Sequence, residues 1–561
     1  MSNEWWRGAV IYQVYPRSFY DTNGDGIGDL PGITARLPYI ASLGVDAIWL
    51  CPFYVSPQKD FGYDVADYFA VDPAYGTLQH FEALVQRAHD LGLKVLLDQV
   101  WSHTSNEHPW FKASRAHKVG AYADWYVWAD PMPDGMPPNN WLSVFGGSAW
   151  TWEPRRRQYY LHHFLSSQPQ LNLRNERVLA ALGRVARFWL KRGVDGFRLD
   201  AIDFMLHDPL LRSNPAVPPP NGEIPVRLFR LQQHRHDMLQ HGVVDLAALL
   251  RRLIDRYFPG VATLGEVSSE EGAIGRIGNY TGARGSRLHM AYTLGFMKRP
   301  FSRELFLDAI AESVPADDGW ICWTFSNHDV ERAVSRWSGG KPSDAFARLL
   351  MVLLLSMRGS LCIYQGEELG LPEAQLKFED LRDPYGIAFY PEFRGRDGSR
   401  TPMPWHGGAP HAGFTNGTPW LPIPDDHLAR AVDRQDADPG SLLNAWRRFL
   451  HWRKSHEALR TGDLRIVPTP APFVVFERFN DEQRILVALN FSDRPATLLL
   501  DSLGDVQPLD ALGGEPMLAS GRLELPGWGV FLGAPIAANT RQIEEIRSED
   551  SPRNNFSIKR A

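Results

Sequence analysis

The chain has little that would tie it to an oxidising compartment, a membrane or a polyanion. Of its 561 residues only three are cysteine, Cys51, Cys322 and Cys362. Three thiols cannot build a disulfide framework, and each lies in or beside an apolar run, so they read as buried free thiols in a reducing compartment. The opening residues, Met-Ser-Asn-Glu-Trp-Trp-Arg, lack the basic start and apolar core of a signal peptide. The longest apolar stretch, 349–357, covers nine residues between Arg348 and Arg358, too few to span a bilayer. A formal net charge of -6 gives no reason to expect nucleic acid or an anionic membrane as partner. No long internal repeat is present. These absences predict a cytoplasmic protein, a monomer or homodimer.

What is present is ordinary globular chemistry, 44% hydrophobic and 22% charged, in a chain long enough for two to four domains. Aromatics are plentiful, with 19 Trp, 18 Tyr and 29 Phe, rings that stack on sugar faces but also fill cores. Strand-like runs occur at 8–15, 45–50, 94–100, 194–199, 261–267, 288–294, 321–325 and 360–364. Helical runs lie between several of them, one ending near Ser42 and others at 79–91, 177–192, 244–257 and 345–357. That alternation predicts βαβ units and a parallel sheet, and eight strands is the number a (β/α)₈ barrel requires. The predicted barrel takes residues 1–103 and 176–456. A Trp-, Pro-, Gly- and Asn-rich stretch, 104–175, reads as an inserted loop-rich subdomain after strand three. Beyond a helix at 443–456, short alternating runs predict a C-terminal antiparallel β domain over 457–540, followed by a polar tail at 541–561.

In such a barrel, functional residues gather at the C-terminal strand ends. Those ends read Asp98-Gln-Val-Trp-Ser-His103, Arg198-Leu-Asp200, Gly265-Glu266-Val267 and Asn327-His328-Asp329. Arg198 and Asp200, two apart on a strand, point the same way. Alone they could be a structural ion pair; with Glu266 and Asp329 on neighbouring ends, three carboxylates face one pocket. Two carboxylates about 5–5.5 Å apart suit retaining glycoside hydrolysis, one attacking the anomeric carbon and the other protonating the leaving oxygen. Arg198 beside Asp200 favours an ionised nucleophile, and Glu266, with no base adjacent in sequence, suits the acid.

Gly196-Phe-Arg-Leu-Asp200, Gly265-Glu266-Val267, Ser326-Asn-His-Asp329 and Asp98-x-Val-x-x-His103 resemble the four signature regions of the α-amylase superfamily, glycoside hydrolase family 13. Gly62-Tyr-Asp-Val-Ala-Asp-Tyr68 and Ser399-Arg-Thr-Pro-Met-Pro-Trp405 are similar to its α-glucosidase and oligo-1,6-glucosidase branch. The resemblance implies a barrel, an insertion after strand three and a C-terminal β domain. It implies Asp200 as nucleophile, Glu266 as general acid/base and Asp329 as transition-state stabiliser. Asp60, Tyr63, His103, Arg198, His328 and Arg400 match residues that hold the non-reducing glucose. Asp60 with Arg400 would lid the glucose 4-hydroxyl, so that only chain ends of oligosaccharides are attacked. Phe145 and Phe164, in the insertion, either line the entrance or simply pack.

The loop Asp21-Thr-Asn23-Gly-Asp25-Gly-Ile27-Gly-Asp29 sets oxygens at alternate positions, as a hard-cation loop does, though Gly32 stands where an EF-hand has Glu. It reads as a solvated turn or, by the resemblance, as a structural Ca²⁺ or Mg²⁺ site using Asp21, Asn23, Asp25, the Ile27 carbonyl and Asp29. No organic cofactor is expected. A small residue after the nucleophile, Ala201, resembles α-1,4-preferring members, whereas Val resembles α-1,6-preferring ones; such a difference is worth only about 1–3 kcal/mol. The expected activity is a retaining exo-α-glucosidase with transglucosylation as a side reaction. A glucosyltransferase or sucrose isomerase on the same site is the alternative, and an inactive amylase-like binding protein a remoter one.

Overall fold

Eight short strands, buried almost throughout, form the centre of the computed structural model, which describes residues 4–535 apart from 220–221, 270–271, 283–284, 314–318, 500–505, 510–516 and 520. They are β1 (Val10–Val14), β2 (Ala47–Leu50), β3 (Lys94–Gln99), β4 (Gly196–Leu199), β5 (Ala262–Val267), β6 (Met290–Thr293), β7 (Cys322–Thr324) and β8 (Ser360–Tyr364). All pair in parallel, in the order β6-β5-β4-β3-β2-β1-β8-β7. A parallel bridge from Ala291 of β6 to Ile321, just ahead of β7, joins the two edges into a barrel. Strands covered on both faces need no polar alternation. Accordingly β1, Val-Ile-Tyr-Gln-Val, is buried at every position.

Helices α1 (Leu30–Leu43), α2 (Leu78–Asp90), α3 (Glu176–Leu190), α4 (Gly242–Tyr257), α5 (Ala273–Thr281), α6 (Arg303–Ser313), α7 (Asp344–Ser356) and α8 (Leu442–Lys454) follow the strands in turn. Several begin on a side-chain cap: Asp29 accepts from Gly32 N–H, Thr77 from His80, Ser343 from Phe346 and Ser441 from Asn444. α3 turns Val178, Leu182, Val185 and Trp189 into the core, a 3.6-residue stripe. Two barrel helices, α5 and α6, are not evident in the periodicity. α5 has nine residues and holds Gly275 and Gly278, poor helix formers.

The insertion contains more order than its composition predicts. A helix, Pro109–Ala116, leads into an antiparallel sheet of Trp128–Ala129, Gln158–Leu161 and Trp150–Glu153. Strands of two and four residues are too short to show a period. Trp141, Trp150, Ala149 and Leu161 make their small core.

The C-terminal domain pairs a five-stranded antiparallel sheet, in the order Asp463–Val467, Phe473–Phe479, Arg484–Asn490, Val530–Pro535, Val506–Pro508, with a three-stranded one. Phe473, Val475, Leu486 and Ala488 face Leu498, Leu523 and Leu525 of the second sheet. Val474, Phe476, Val487 and Leu489 belong instead to the barrel's core, so the larger sheet is covered on both sides. Cys51, Cys322 and Cys362 are buried and free. Among the described residues no helix is long and apolar enough to cross a membrane. The polar tail expected at 541–561 lies outside the described residues.

Candidate active site

The pleat of β4 sends Phe197 and Leu199 to one side and Arg198 to the other, into the barrel mouth. Asp200 prolongs the ladder, its N–H donating to the Gln99 carbonyl at 3.1 Å. Arg198 is wholly buried and organises the floor of the site. Its Nη1 donates to Asp98 Oδ1 at 2.8 Å and to Asp200 Oδ1 at 2.7 Å; its Nη2 donates to Glu266 Oε2 at 2.6 Å and to the Tyr292 hydroxyl at 2.8 Å. The guanidinium lies 4.9 Å from the Trp49 ring centre, a cation–π contact. Asp200 and Glu266, from neighbouring strand ends, are therefore held by two nitrogens of one group.

Adjacency in sequence assigns Arg198 to Asp200 alone, and the structure corrects this. Glu266 shares the guanidinium and also accepts from the Ala201 N–H at 2.9 Å. Burial outweighs Arg198 for all three acids, pushing Asp98 up to about 6, Asp200 up to about 7 and Glu266, a glutamate with the higher ordinary value, up to about 8. Glu266 thus remains the acid most ready to carry a proton, while Asp200 is less firmly ionised than its neighbour in sequence suggests.

Asp329, after β7, is treated oppositely. Arg396 Nη1 and Arg400 Nη2 both donate to its Oδ1, at 3.0 and 2.9 Å. Burial resists ionisation, but His328, Arg396, Arg400 and Arg198 together hold this carboxyl below the usual carboxylate range.

A second correction concerns the lid. The partner of Asp60 is Arg396, not Arg400: Arg396 Nη2 donates to Asp60 Oδ1 at 2.8 Å and to Asp383 Oδ1 at 2.7 Å. Arg400 instead donates through Nε to the His328 carbonyl, at 2.7 Å. Arg396 and Gln168, whose Nε2 donates to Asp60 Oδ2 at 2.9 Å, are functional candidates that no sequence motif marks. So is Tyr292. Asp98, marked by its strand end and signature but given no role there, holds Arg198 and Tyr63; Arg396 lies in an irregular run four residues from Arg400, with no pattern to mark it.

The other candidates converge as expected. The Tyr63 hydroxyl donates to Asp98 Oδ2 at 3.0 Å, and its ring stacks on His328 at 5.2 Å and 8°. The Gln13 side-chain amide donates to His328 Nδ1 at 2.8 Å, which puts the imidazole proton on Nε2, 3.3 Å from Asp329 Oδ2. Burial lowers His328 to about 3 and His103 to about 4, so both are neutral at pH 7. His103 Nε2 donates to the Tyr63 carbonyl at 2.9 Å. Phe164 packs on His103 and Phe204. Phe145 lies against Tyr385, with Arg396 over its ring at 5.2 Å. Ala201 is buried beside Phe204 and Met238, with Phe164 and Phe229 packed around them, and its backbone is left-handed at φ 43°.

In the loop before α1, Asp21 accepts from the N–H groups of Asn23, Gly24 and Gly26, and Asp29 from Thr22 and Gly32. Asn23 and Asp25 are exposed. Among the described residues no three His, Cys, Asp or Glu side chains converge as a metal set. The loop's donors are all oxygen and include an amide and a carbonyl, the types that suit Ca²⁺ or Mg²⁺.

Residues 13–462 match the family model described as the alpha-amylase catalytic domain. A protein of Rhizobium meliloti (strain 1021) named "Probable alpha-glucosidase" is 51% identical over 538 residues, 94% of this chain and 96% of its own. An oligo-1,6-glucosidase of Heyndrickxia coagulans is 36% identical over 526 residues, 87% of this chain and 92% of its own. Among solved structures, that of an alpha-glucosyl transfer enzyme, XgtA, superposes with a TM-score of 0.91 at 51% identity, covering 95% of this chain and 100% of that one. The barrel, the strand-end acids and these likenesses agree: the chain belongs to the α-amylase family, glycoside hydrolase family 13.

Proposed function

We propose that the protein is a retaining α-glucosidase that removes glucose from the non-reducing end of short α-glucosides. The observation that carries this reading is the convergence of three carboxyls: Asp200 and Glu266 bond to the two terminal nitrogens of Arg198 at 2.7 and 2.6 Å, and Asp329 is held ionised by Arg396 and Arg400. In the first half-reaction an Asp200 carboxylate oxygen bonds to the anomeric carbon while the bond to the leaving oxygen breaks and Glu266 protonates that oxygen. In the second, Glu266 takes a proton from water, which displaces Asp200. Asp329, braced by two arginines, offers fixed negative charge to the oxocarbenium-like transition state. Asp60 and Arg396, with Gln168 behind them, close the far end of the glucose site and favour attack at chain ends.

Ala201 supports a preference for α-1,4 links. A β-branched residue at its left-handed position is strained, and its extra methyls would press on Phe204 and Met238 beside the acceptor side. Wild type and Asp200→Ala, assayed on maltose and isomaltose, test the reading. Equal activity of the two proteins overturns the mechanism; equal rates on the two sugars overturn the preference. Transfer of glucose to a second sugar is a further reading, favoured by the likeness to the alpha-glucosyl transfer enzyme. The loop 21–29 is proposed to hold a structural Ca²⁺ or Mg²⁺ away from the acids.

A further inference from the structure

Three residues beyond Asp329 lies Arg332, a buried side chain whose hydrogen bonds run to backbone. Its Nη1 donates to the Gln365 carbonyl at 3.0 Å and its Nη2 to the Ser399 carbonyl at 2.9 Å. Its own N–H donates to Glu373 Oε2 at 2.8 Å. The guanidinium sits 5.2 Å from the centre of the Tyr364 ring, and the Tyr364 hydroxyl donates to the same Ser399 carbonyl at 3.0 Å. The loop after β7, the end of β8 and the turn 396–400 are thereby tied together.

That turn carries Arg396 at one end and Arg400 at the other. Ser399 locks onto the Arg396 carbonyl through its N–H at 3.2 Å and its hydroxyl at 3.0 Å. The backbone leaves room for the tether at two glycines. A Cβ on Gly366 would stand 2.9 Å from Arg332 Nη1, and one on Gly398 only 2.2 Å from Glu373 Oε1. The tether is thus aimed at the carbonyl lying between the two arginines that hold Asp329.

We propose that Arg332, seated on Glu373, is a positioning residue for glucose recognition: it fixes the turn 396–400 so that Arg396 spans Asp60 and Asp329 while Arg400 meets Asp329. The proposal rests on the reading that these groups hold the terminal glucose. Misplacement of such groups by about 1 Å costs up to about 10²-fold in rate.

The test compares full-length wild type, Arg332→Met and Arg332→Lys in α-glucoside hydrolysis, in inhibition by free glucose and in thermal midpoint. In Arg332→Met, KM and the inhibition constant for glucose are expected to rise together by about tenfold or more, the loss of a hydrogen-bonding contact. Arg332→Lys, which can still donate to the Ser399 carbonyl, is expected to fall between. A folded Arg332→Met protein with wild-type KM and wild-type glucose inhibition overturns the proposal whatever its kcat, as does a lowered thermal midpoint with both constants unchanged, which a merely structural role would produce. If Arg332→Met does not fold, the same two constants in Arg332→Lys decide. Wild type inactive on every α-glucoside would instead sink the underlying functional reading.

Discussion

Asp200 and Glu266 share one guanidinium and are both buried, so their protons come off as a pair. In the proposed mechanism the form that works carries one proton, on Glu266. With the two carboxyls at about 7 and about 8, that form is most abundant between those values. Activity should fall on the acid side as Asp200 is protonated, and on the alkaline side as Glu266 loses its proton. kcat/KM is therefore predicted to be bell-shaped in pH with limbs near those values, and a flat profile from pH ~5 to ~9 contradicts the assignment. Replacing Glu266 by Gln tests the acid itself. For maltose, kcat/KM should drop by about 10²–10⁴, and by far less for a nitrophenyl glucoside, whose leaving oxygen needs no proton. Equal losses on both substrates would remove Glu266 from that role.

At the scale of elements, α7 ends against the C-terminal domain on two buried cations. Arg478, from the strand Phe473–Phe479, donates Nη1 to the carbonyls of Ser356 and Met357, both at 2.8 Å. Arg453 of α8 donates Nε to the Leu355 carbonyl at 3.0 Å and Nη1 to that of Gly8 at 2.9 Å. Neither donates to a carboxylate in these bonds; the partner is the negative end of a helix. Burial lowers both, Arg453 to about 10. Arg478→Met leaves buried carbonyls without donors and should cost about 2 kcal/mol or more, read as a lower urea midpoint, with kcat unchanged at low temperature. An unchanged midpoint refutes the capping role. The loop 21–29 is predicted to release one divalent ion per chain to chelator, with a fall in thermal midpoint. Metal analysis after dialysis that finds no ion, with stability indifferent to chelator, disposes of the site. The barrel strands were legible because strands covered on both faces are apolar nearly throughout. Asp200, Glu266 and Asp329 were legible because they stand at the ends of such strands. Arg396 was not, since its meeting with Asp60 spans 336 residues and depends on how an irregular segment folds back. Glu266's bond to Arg198 was hidden for the same reason, because it crosses from one strand to the next.

Across the whole molecule, the pocket is assembled from three parts of the chain. The barrel supplies the acids and Arg198, the insertion supplies Gln168, Phe145 and Phe164, and the segment beyond β8 supplies Asp383, Arg396 and Arg400. In the proposed reading, the Asp60–Arg396 contact closes the site behind one glucose. Maltooligosaccharides should accordingly lose single glucoses from one end, with α-glucose the first product by polarimetry or NMR; β-glucose, or early cleavage of internal bonds, would contradict this. At high maltose concentration, trisaccharides should accumulate before they are consumed. In the proposed reaction Asp200 becomes an ester and loses its charge, leaving the guanidinium of Arg198 to Asp98 and Glu266. The repulsion from Asp200 that helps burial hold the proton on Glu266 is then gone, and the carboxyl that has just given up that proton becomes a weaker base, one that takes a proton from water and keeps it once Asp200 is freed and its charge returns. Each half of the turnover thus resets the acidity that the other half requires.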